Sequence, residues 1–350
     1  MAVTRAEVAA KAGVSPAVVS YVVNGGPRPV ASGTRMRVEA AIDELGYRPN
    51  RIAAALRGGM TRSIGLLTPS TRNPFYAELA EALVGELFRQ GNTLSIGITD
   101  DDQSRERLYL RSLLDRRVDG IILTSAHLVR TLGDLDRSDI PTLLIDRVNE
   151  ETVNSCSRVY VDSERGARHA VEHLQAHGHS VIGCVAGPWP VPLVEDRVQG
   201  WRTQQQVLGF RETSELIEHA DFSEAGGREA TLALLGSGSR RNAAHTPRPT
   251  ALFVTSDVQA FGAIVACREL GLQVPEDVAI VSFDGTATGR FANPPLTSVR
   301  QPIVDMARTA VELLLERTGG SPHGPADRMF AGNLVIGETC GCGVYQPETP

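Results

Sequence analysis

Hydrophobic and polar positions along the 350-residue chain follow two rhythms, and the change between them falls near residue 60. In the first fifty residues, short apolar stripes recur at helical spacing. Thr4-Arg5-Ala6-Glu7 has the form of a capping box, and the helix it starts carries Val8, Ala9 and Ala12 before Gly13 stops it. Ser15 caps a second helix with Pro16 in its first turn, where a missing N–H costs nothing. Val19, Val22 and Val23 form the buried stripe of that helix until Asn24-Gly25-Gly26 ends it. A third helix is expected from about Ser32 to Leu45, with Met36, Val38, Ala41, Ile42 and Leu45 available to cover the other two. Two helices joined by a tight glycine-containing turn make a helix-turn-helix. Three short helices bury little surface, so the unit is a docking module. Asn50 to Arg57 reads as a short further helix capped by Asn50, too short to hold alone, with Gly58-Gly59 as a flexible exit.

From Ser63 the rhythm becomes one of short apolar runs between longer amphipathic stretches. Ile64–Leu67, Leu94–Ile98, Gly120–Leu123, Thr142–Ile145 and Val159–Val161 read as buried parallel strands between helices. Val181–Ala186, Ala251–Val254 and Val278–Phe283 form a second series, so the body is α/β with two sheets, each offering ligand-facing loops at its strands' carboxyl ends. Two such lobes face each other across a cleft.

Charge sharpens the division. The first sixty residues carry eight basic against four acidic side chains, net +4, while the remainder carries −10 of the total −6. A small anion-binding head on an acidic body follows. Met1 to Ala10 lacks the apolar core of a signal peptide and no apolar run reaches about 18 residues, so a cytoplasmic protein without membrane contact is expected. Five scattered cysteines, an odd count, argue against a disulfide framework.

The wording of the head carries more than its pattern. Glu7-Val-Ala-Ala-Lys-Ala-Gly-Val-Ser15, Val19-Ser20, Val22-Val-Asn-Gly25, Thr34-Arg35 and Leu45-Gly-Tyr-Arg-Pro-Asn50 resemble, in order and spacing, the headpiece of the lactose-repressor/galactose-repressor (LacI/GalR) family of bacterial transcription regulators. The resemblance continues through Asn73-Pro-Phe-Tyr76, Arg117-Val-Asp-Gly-Ile-Ile122, Ile145-Asp-Arg147, Arg197-Val-Gln-Gly-Trp201, Ser256-Asp257, Phe283-Asp284 and Pro295-Leu-Thr-Ser-Val-Arg-Gln301. It implies a small all-α helix-turn-helix headpiece (1–49), a hinge helix and linker (50–60), and a two-lobed α/β effector domain of the type I periplasmic-binding-protein-like kind with parallel sheets (61–343), followed by a tail (344–350). By that likeness lobe 1 takes about 61–161 and 295–320, lobe 2 about 162–294 and 321–343. The chain crosses near Val161, Pro294 and Gly320, and helix 303–317 returns to lobe 1.

What the resemblance implies for function is a homodimeric regulator, in first place a repressor, of a pseudo-palindromic double-stranded DNA operator, with a small-molecule effector in the cleft. The second helix would lie in the major groove with Pro16, Ala17 and Tyr21 facing base edges. Pro16 and Ala17 can only pack on groups such as a thymine methyl, and Tyr21 stands where the family commonly has arginine. Thr4, Ser15, Ser20, Asn24, Thr34 and Tyr47 hold positions that touch backbone phosphates, although Tyr47 equally suits a core. Asn50, Ala53 and Leu56 would serve the paired hinge, with Leu56 the minor-groove wedge. Around the cleft the likeness puts Phe75, Asp146, Arg197, Phe222, Ser256, Asp257, Asp284 and Gln301, a set suited to a polyhydroxylated ligand, a sugar first. Trp189 is a further candidate. The alternative is a transport-type solute-binding protein with the same body, against which the headpiece counts.

Other features carry less. His169, His173 and His177 share one helical face with His179 close behind, but they suit solvated or capping roles. Cys340-Gly-Cys342 supplies only two thiolates, too few for a closed zinc site. No cofactor or metal is therefore expected. The stretch Gly236–Pro249 has loop composition. GxSxG, GxxxxGK[ST] and HExxH are all lacking, so no enzyme is expected.

Overall fold

The computed structural model describes residues 3–24, 28–48, 60–124, 135, 138–147, 156–209, 214–236, 247–319 and 324–343. They fall into two units, Met1–Thr61 and Arg62–Pro350.

In the first unit, α1 (Arg5–Ala12) begins with the expected capping box, Thr4 and Glu7 bonding reciprocally. It ends at Gly13, whose φ of 66° lies in the left-handed region that turns the chain towards the next helix. α2 (Pro16–Asn24) and α3 (Ser32–Leu45) follow. Val8, Ala9, Ala12, Val19, Val22, Val38 and Ala41 form the core, with Tyr47 closing it. Met36 was expected in that core and is instead 65% exposed, because the helical turn that buries Val38 and Ala41 carries it to the outside.

The second unit holds two six-stranded sheets. Lobe 1 contains β1 (Ser63–Thr68), β2 (Thr93–Ile98), β3 (Gly120–Leu123), β4 (Thr142–Ile145), β5 (Ser157–Val161) and β11 (Asp327–Phe330), in the order β11-β5-β4-β3-β1-β2. Lobe 2 contains β6 (Ile182–Ala186), β7 (Ile217–His219), β8 (Ala251–Val254), β9 (Ala279–Asp284), β10 (Thr297–Arg300) and β12 (Asn333–Val335), in the order β12-β10-β9-β8-β6-β7. The two orders match strand for strand, so β4 and β9 occupy equivalent places. All pairs are parallel except β10 with β12.

Helices cover both sheets. α4 (Pro74–Arg89) and α10 (Ile303–Thr318) pack together on lobe 1, and α5 (Gln103–Asp115) covers its other face. α6 (Ser163–Ala176) and α7 (Pro192–Val207) do the same for lobe 2, opposite α8 (Glu224–Leu235) and α9 (Asp257–Glu269). α8 and α9 approach closely: a Cβ on Gly262 would stand 1.9 Å from the Glu224 carbonyl oxygen and one on Gly227 2.0 Å from that of Gln259. Trp201, fully buried, donates from Nε1 to the Ile182 carbonyl at 3.0 Å and pins α7 to β6.

Two of the three expected lobe crossings move. The first falls at Asp162, between β5 and α6, close to Val161. The second lies not near Pro294 but after Arg300, because Thr297–Arg300 stays in lobe 2 as the parallel neighbour of β9. The third lies not near Gly320 but between Phe330 and Asn333, since Asp327–Phe330 first adds a parallel strand to β5. Residues 295–300 thus belong to lobe 2 and 327–330 to lobe 1. An edge strand is satisfied from one side and its residues are mostly exposed, so β11 carries no apolar run that would have marked it.

Candidate ligand cleft and nucleic-acid interface

The cleft is built at the carboxyl ends of β4 and β9. Asp146 follows β4 with φ 69° and Asp284 ends β9 with φ 121°, both in the region that L side chains rarely adopt. Such strain costs about 1–3 kcal/mol per residue and persists where the surroundings over-determine it. Equivalent strand ends of two matching lobes therefore each present one strained, buried aspartate.

Donors surround both carboxylates. Gln301 Nε2 donates to Asp284 Oδ1 at 2.9 Å, and the Asp257 N–H at the start of α9 donates to Oδ2 at 3.3 Å. Arg197, reaching inward from α7, donates from Nη1 to the Thr255 carbonyl at 2.6 Å and more weakly to Asp284 Oδ1 at 3.4 Å. Its guanidinium lies 3.9 Å from the centre of the Phe283 ring. Arg197 Nε and Gln301 Oε1 are buried without a hydrogen-bond partner. In lobe 1 the Tyr76 hydroxyl donates to Asp146 Oδ2 at 3.1 Å and accepts from Arg147 Nε at 2.8 Å. Arg147 Nη1 continues the chain to Asp101 Oδ1 at 2.6 Å. Asn73 caps α4 by accepting from the Phe75 N–H, and the Phe75 ring lies edge-on to Tyr76 at 5.1 Å.

Burial dominates the electrostatics. It raises Asp284 well above the ordinary carboxylate range; Arg197 opposes this, while Asp257 and Asp146 add to it. It raises Asp146 too, against the pull of Arg197 and Arg147. Burial likewise lifts the Tyr76 phenol well above its usual value. Two cavities open here. The inner one is about 10 Å³, room for about one water, and is lined by Asn73, Phe75, Tyr76, Asp146, Leu193, Arg197, Phe222, Ser256 and Asp284. The outer one, about 340 Å³, shares Asn73, Tyr76 and Phe222 and adds Arg147, Asp100, Asp101, Asp221 and Glu224 among others. That volume is within the range of small-molecule sites. Lobe-to-lobe contacts accompany the tight inner cavity: Glu78 of α4 accepts from the Ala287 N–H at 2.8 Å, and Arg147 stands 5.9 Å from the Phe222 ring centre.

Phe75, Asp146, Arg197, Phe222, Ser256 and Asp284 thus line the inner cavity together. Asp257 does not join them. Its Oδ1 accepts from the Ser282 and Ser298 hydroxyls at 2.6 and 2.7 Å, and its Oδ2 from the Thr286 N–H and hydroxyl at 2.7 and 2.8 Å. Four donors from lobe 2 leave it no capacity for a ligand, which corrects the expectation. Gln301 lines neither cavity and reaches the site through its hydrogen bond to Asp284. Trp189 is also outside both, 58% exposed and edge-on to His219 at 5.9 Å. Tyr76, Arg147 and Asp101 were not anticipated as cleft residues; Tyr76 and Arg147 are the last residues of two quoted motifs, Asn73–Tyr76 and Ile145–Arg147.

In the headpiece, Pro16 and Ala17 are exposed on the first turn of α2, while Ser20 and Tyr21 are half-buried one turn on. Ser15 accepts from the Val18 N–H at 3.4 Å and Thr4 completes its capping box, both remaining exposed; Thr34 is half-buried. Tyr47 is a core residue at 8% exposure, the second of its two expected roles. Asn50, Ala53 and Leu56 lie outside the described residues, as does the side chain of Asn24. Among the described residues no single helix is long and apolar enough to cross a membrane.

A profile described as bacterial regulatory proteins, lacI family, matches residues 4–50, and one described as a periplasmic binding protein-like domain matches residues 171–340. The HTH-type transcriptional regulator MalR of Streptomyces coelicolor is 36% identical over 342 residues, covering 95% of this chain and 94% of its own. The HTH-type transcriptional repressor PurR of Aliivibrio fischeri is 33% identical over 319 residues, covering 91% and 92%. Among solved structures, the Lac repressor dimer bound to operator and the anti-inducer ONPF superposes with a TM-score of 0.83 at 29% identity, covering 97% of this chain and 99% of that one. A complex of the transcriptional regulator CelR with cellobiose gives 0.71 at 30% identity, covering 96% and 99%.

Proposed function

The chain belongs to the lacI family of bacterial regulatory proteins, DNA-binding transcriptional regulators with sugar or metabolite effectors, and from that premise we propose that it is a repressor governed by a hydroxyl-rich ligand between its lobes. The observation that carries the ligand class is the pair of buried carboxylates Asp146 and Asp284 beside Arg197, with Arg197 Nε unpartnered. Carboxylates accept from sugar hydroxyls, a guanidinium donates to ring and hydroxyl oxygens, and Phe75 and Phe222 offer faces to a sugar's apolar side. A neutral polyol suits the site better than a second anion, because burial has already raised both aspartates and a further negative charge would raise them more.

Control of DNA follows from the two lobes. The ligand binds one lobe-to-lobe angle better than another and so shifts the population. In a homodimer that shift moves the two 50–57 segments relative to each other and orders or releases the Leu56 wedge. The exposed Pro16 and Ala17 pack on base edges and Tyr21 adds a stack or a single hydrogen bond, so phosphate contacts and deformation of the central step contribute much of the binding. Two identical heads imply a pseudo-palindromic operator.

The test is selection of bound duplexes from a random library by the full-length protein at one stated salt concentration, with and without a panel of sugars and polyols. Recovery of a pseudo-palindrome whose yield falls with one polyol supports an induced repressor. Enrichment that no polyol alters, together with a response to a nucleobase, overturns the ligand class.

A further inference from the structure

Two half-sites that are each too small for a metal in the sequence meet in the fold. His173 lies in the last turn of α6 and His177 is its C-cap, so the i, i+4 spacing sets both imidazoles on one face, ring centres 4.8 Å apart. Cys340-Gly-Cys342 follows β12. Gly341, at φ 87°, bends the backbone through the left-handed region between the two cysteines. The two imidazole nitrogens and two sulfurs lie within 4.8 Å of one another. Cys342 Sγ stands 3.0 Å from His177 Nε2 and 3.5 Å from His173 Nε2.

We propose that His173, His177, Cys340 and Cys342 form a Cys2His2 site for one zinc ion per chain. The donor set is that of a tetrahedral sulfur–nitrogen site, which among divalent first-row ions suits zinc. Zn–S and Zn–N bonds of about 2.3 and 2.0–2.1 Å require ligand atoms roughly 3.3–3.8 Å apart. The present spacings bracket that range, and closing the set asks only for small rotations of His177 and Cys342, both exposed, while Cys340 is buried and fixed. Four protein ligands leave no open position, which marks the site as structural.

The surroundings fit. Thr297 donates its hydroxyl to Cys340 Sγ at 3.1 Å, the kind of outer contact that orients a thiolate ligand. The neighbouring Thr339 exchanges hydrogen bonds with Ile280, its carbonyl accepting from the Ile280 N–H and its hydroxyl donating to the Ile280 carbonyl, both at 2.7 Å. Hydrogen bonds of the protein itself thus also hold the cysteine turn in lobe 2. His179 takes no part; its Nδ1 faces the Thr250 hydroxyl at 3.0 Å. The ion would tie the C-terminal turn of lobe 2 to the end of α6, the helix that begins just after the first lobe crossing.

The experiment is titration of the full-length, fully reduced, metal-stripped protein with Co2+ followed by displacement with Zn2+. The expected result is a near-ultraviolet thiolate-to-cobalt charge-transfer band with the intense visible bands of four-coordinate cobalt, saturating at one ion per chain and abolished by zinc. Cys342→Ser and His177→Asn, both at exposed positions, should each weaken cobalt binding by more than about 100-fold, beyond the ~10–100-fold that Thr297→Val should cost as loss of an outer-shell partner. Weak six-coordinate bands without charge transfer, or titrations of the two ligand variants that coincide with wild type, would overturn the site.

Discussion

Replacing Asp257 with alanine separates a carboxylate that holds lobe 2 together from those that face the cleft. Its four donors are two serine hydroxyls and both the hydroxyl and N–H of Thr286, all buried. After truncation the hydroxyls can turn, Ser282 having the Thr297 carbonyl at 3.4 Å as a second acceptor. The Thr286 N–H cannot. A buried donor left unmade costs about 1–3 kcal/mol, and the lost charge-assisted bonds add a similar amount, partly offset because a desolvated carboxylate disappears. A net loss of about 3 kcal/mol is expected. With an unfolding entropy of ~2.1 cal/mol/K per residue, this lowers the thermal midpoint of the Arg62–Pro350 unit by about 5 °C. Asp257→Asn should cost under ~1 kcal/mol, its oxygen kept by Thr286 and its amide donating to the serine oxygens. Calorimetry of the three proteins checks this, with cleft-ligand affinity at a temperature where all are folded expected within twofold of wild type. An alanine variant with an unchanged midpoint and no ligand binding would refute the structural assignment of Asp257.

Two further outcomes follow from the same geometry and a third from the proposed hinge. Burial raises Asp284 and Asp146, so between the ordinary carboxylate value near 3.8 and their folded values the folded state holds protons the unfolded state has released. Stability from these groups is complete below that lower value and is lost as pH rises through the folded values; denaturant midpoints of wild type minus Asp284→Asn should fall across that window, and a flat difference would contradict it. Gly262→Ala forces a Cβ to within 1.9 Å of the Glu224 carbonyl oxygen and should destabilise by about 3 kcal/mol through overpacking, read as a shifted denaturant midpoint at unchanged slope. Leu56→Ala should weaken operator binding at least tenfold in fluorescence anisotropy and leave ligand affinity unaltered; equal operator affinity would remove the wedge.

Much of the frame was legible because burial on both faces writes itself as an apolar run. Ile64–Leu67, Gly120–Leu123 and Ala251–Val254 are such central strands and fall within one residue of β1, β3 and β8. β7, β11 and β12 are short edge strands with exposed or half-buried residues and gave no run to read. The lobe crossings shifted for that reason: membership of a sheet is decided by hydrogen-bonded pairing, which leaves no local mark at Thr297 or Asp327. Asp257 was misassigned because a strand-adjacent aspartate at a helix start looks the same whether its acceptors meet ligand hydroxyls or those of Ser282 and Ser298. The histidine and cysteine pairs were each legible, and each insufficient, because His177 and Cys342 are 165 positions apart in sequence while their Nε2 and Sγ are 3.0 Å apart in space.

The central claim is that occupancy of the Asp146–Arg197–Asp284 cleft governs the hold on DNA. Its most direct test is anisotropy titration of a selected operator duplex with wild type and Arg197→Ala, each with and without the polyol that altered the selection. The polyol is expected to weaken wild-type binding at least fivefold, about 1 kcal/mol of coupling, and Arg197→Ala to bind the same operator with unchanged affinity and no response. An equal response in the variant, or a polyol that saturates the wild-type cleft without changing its operator affinity, would contradict it.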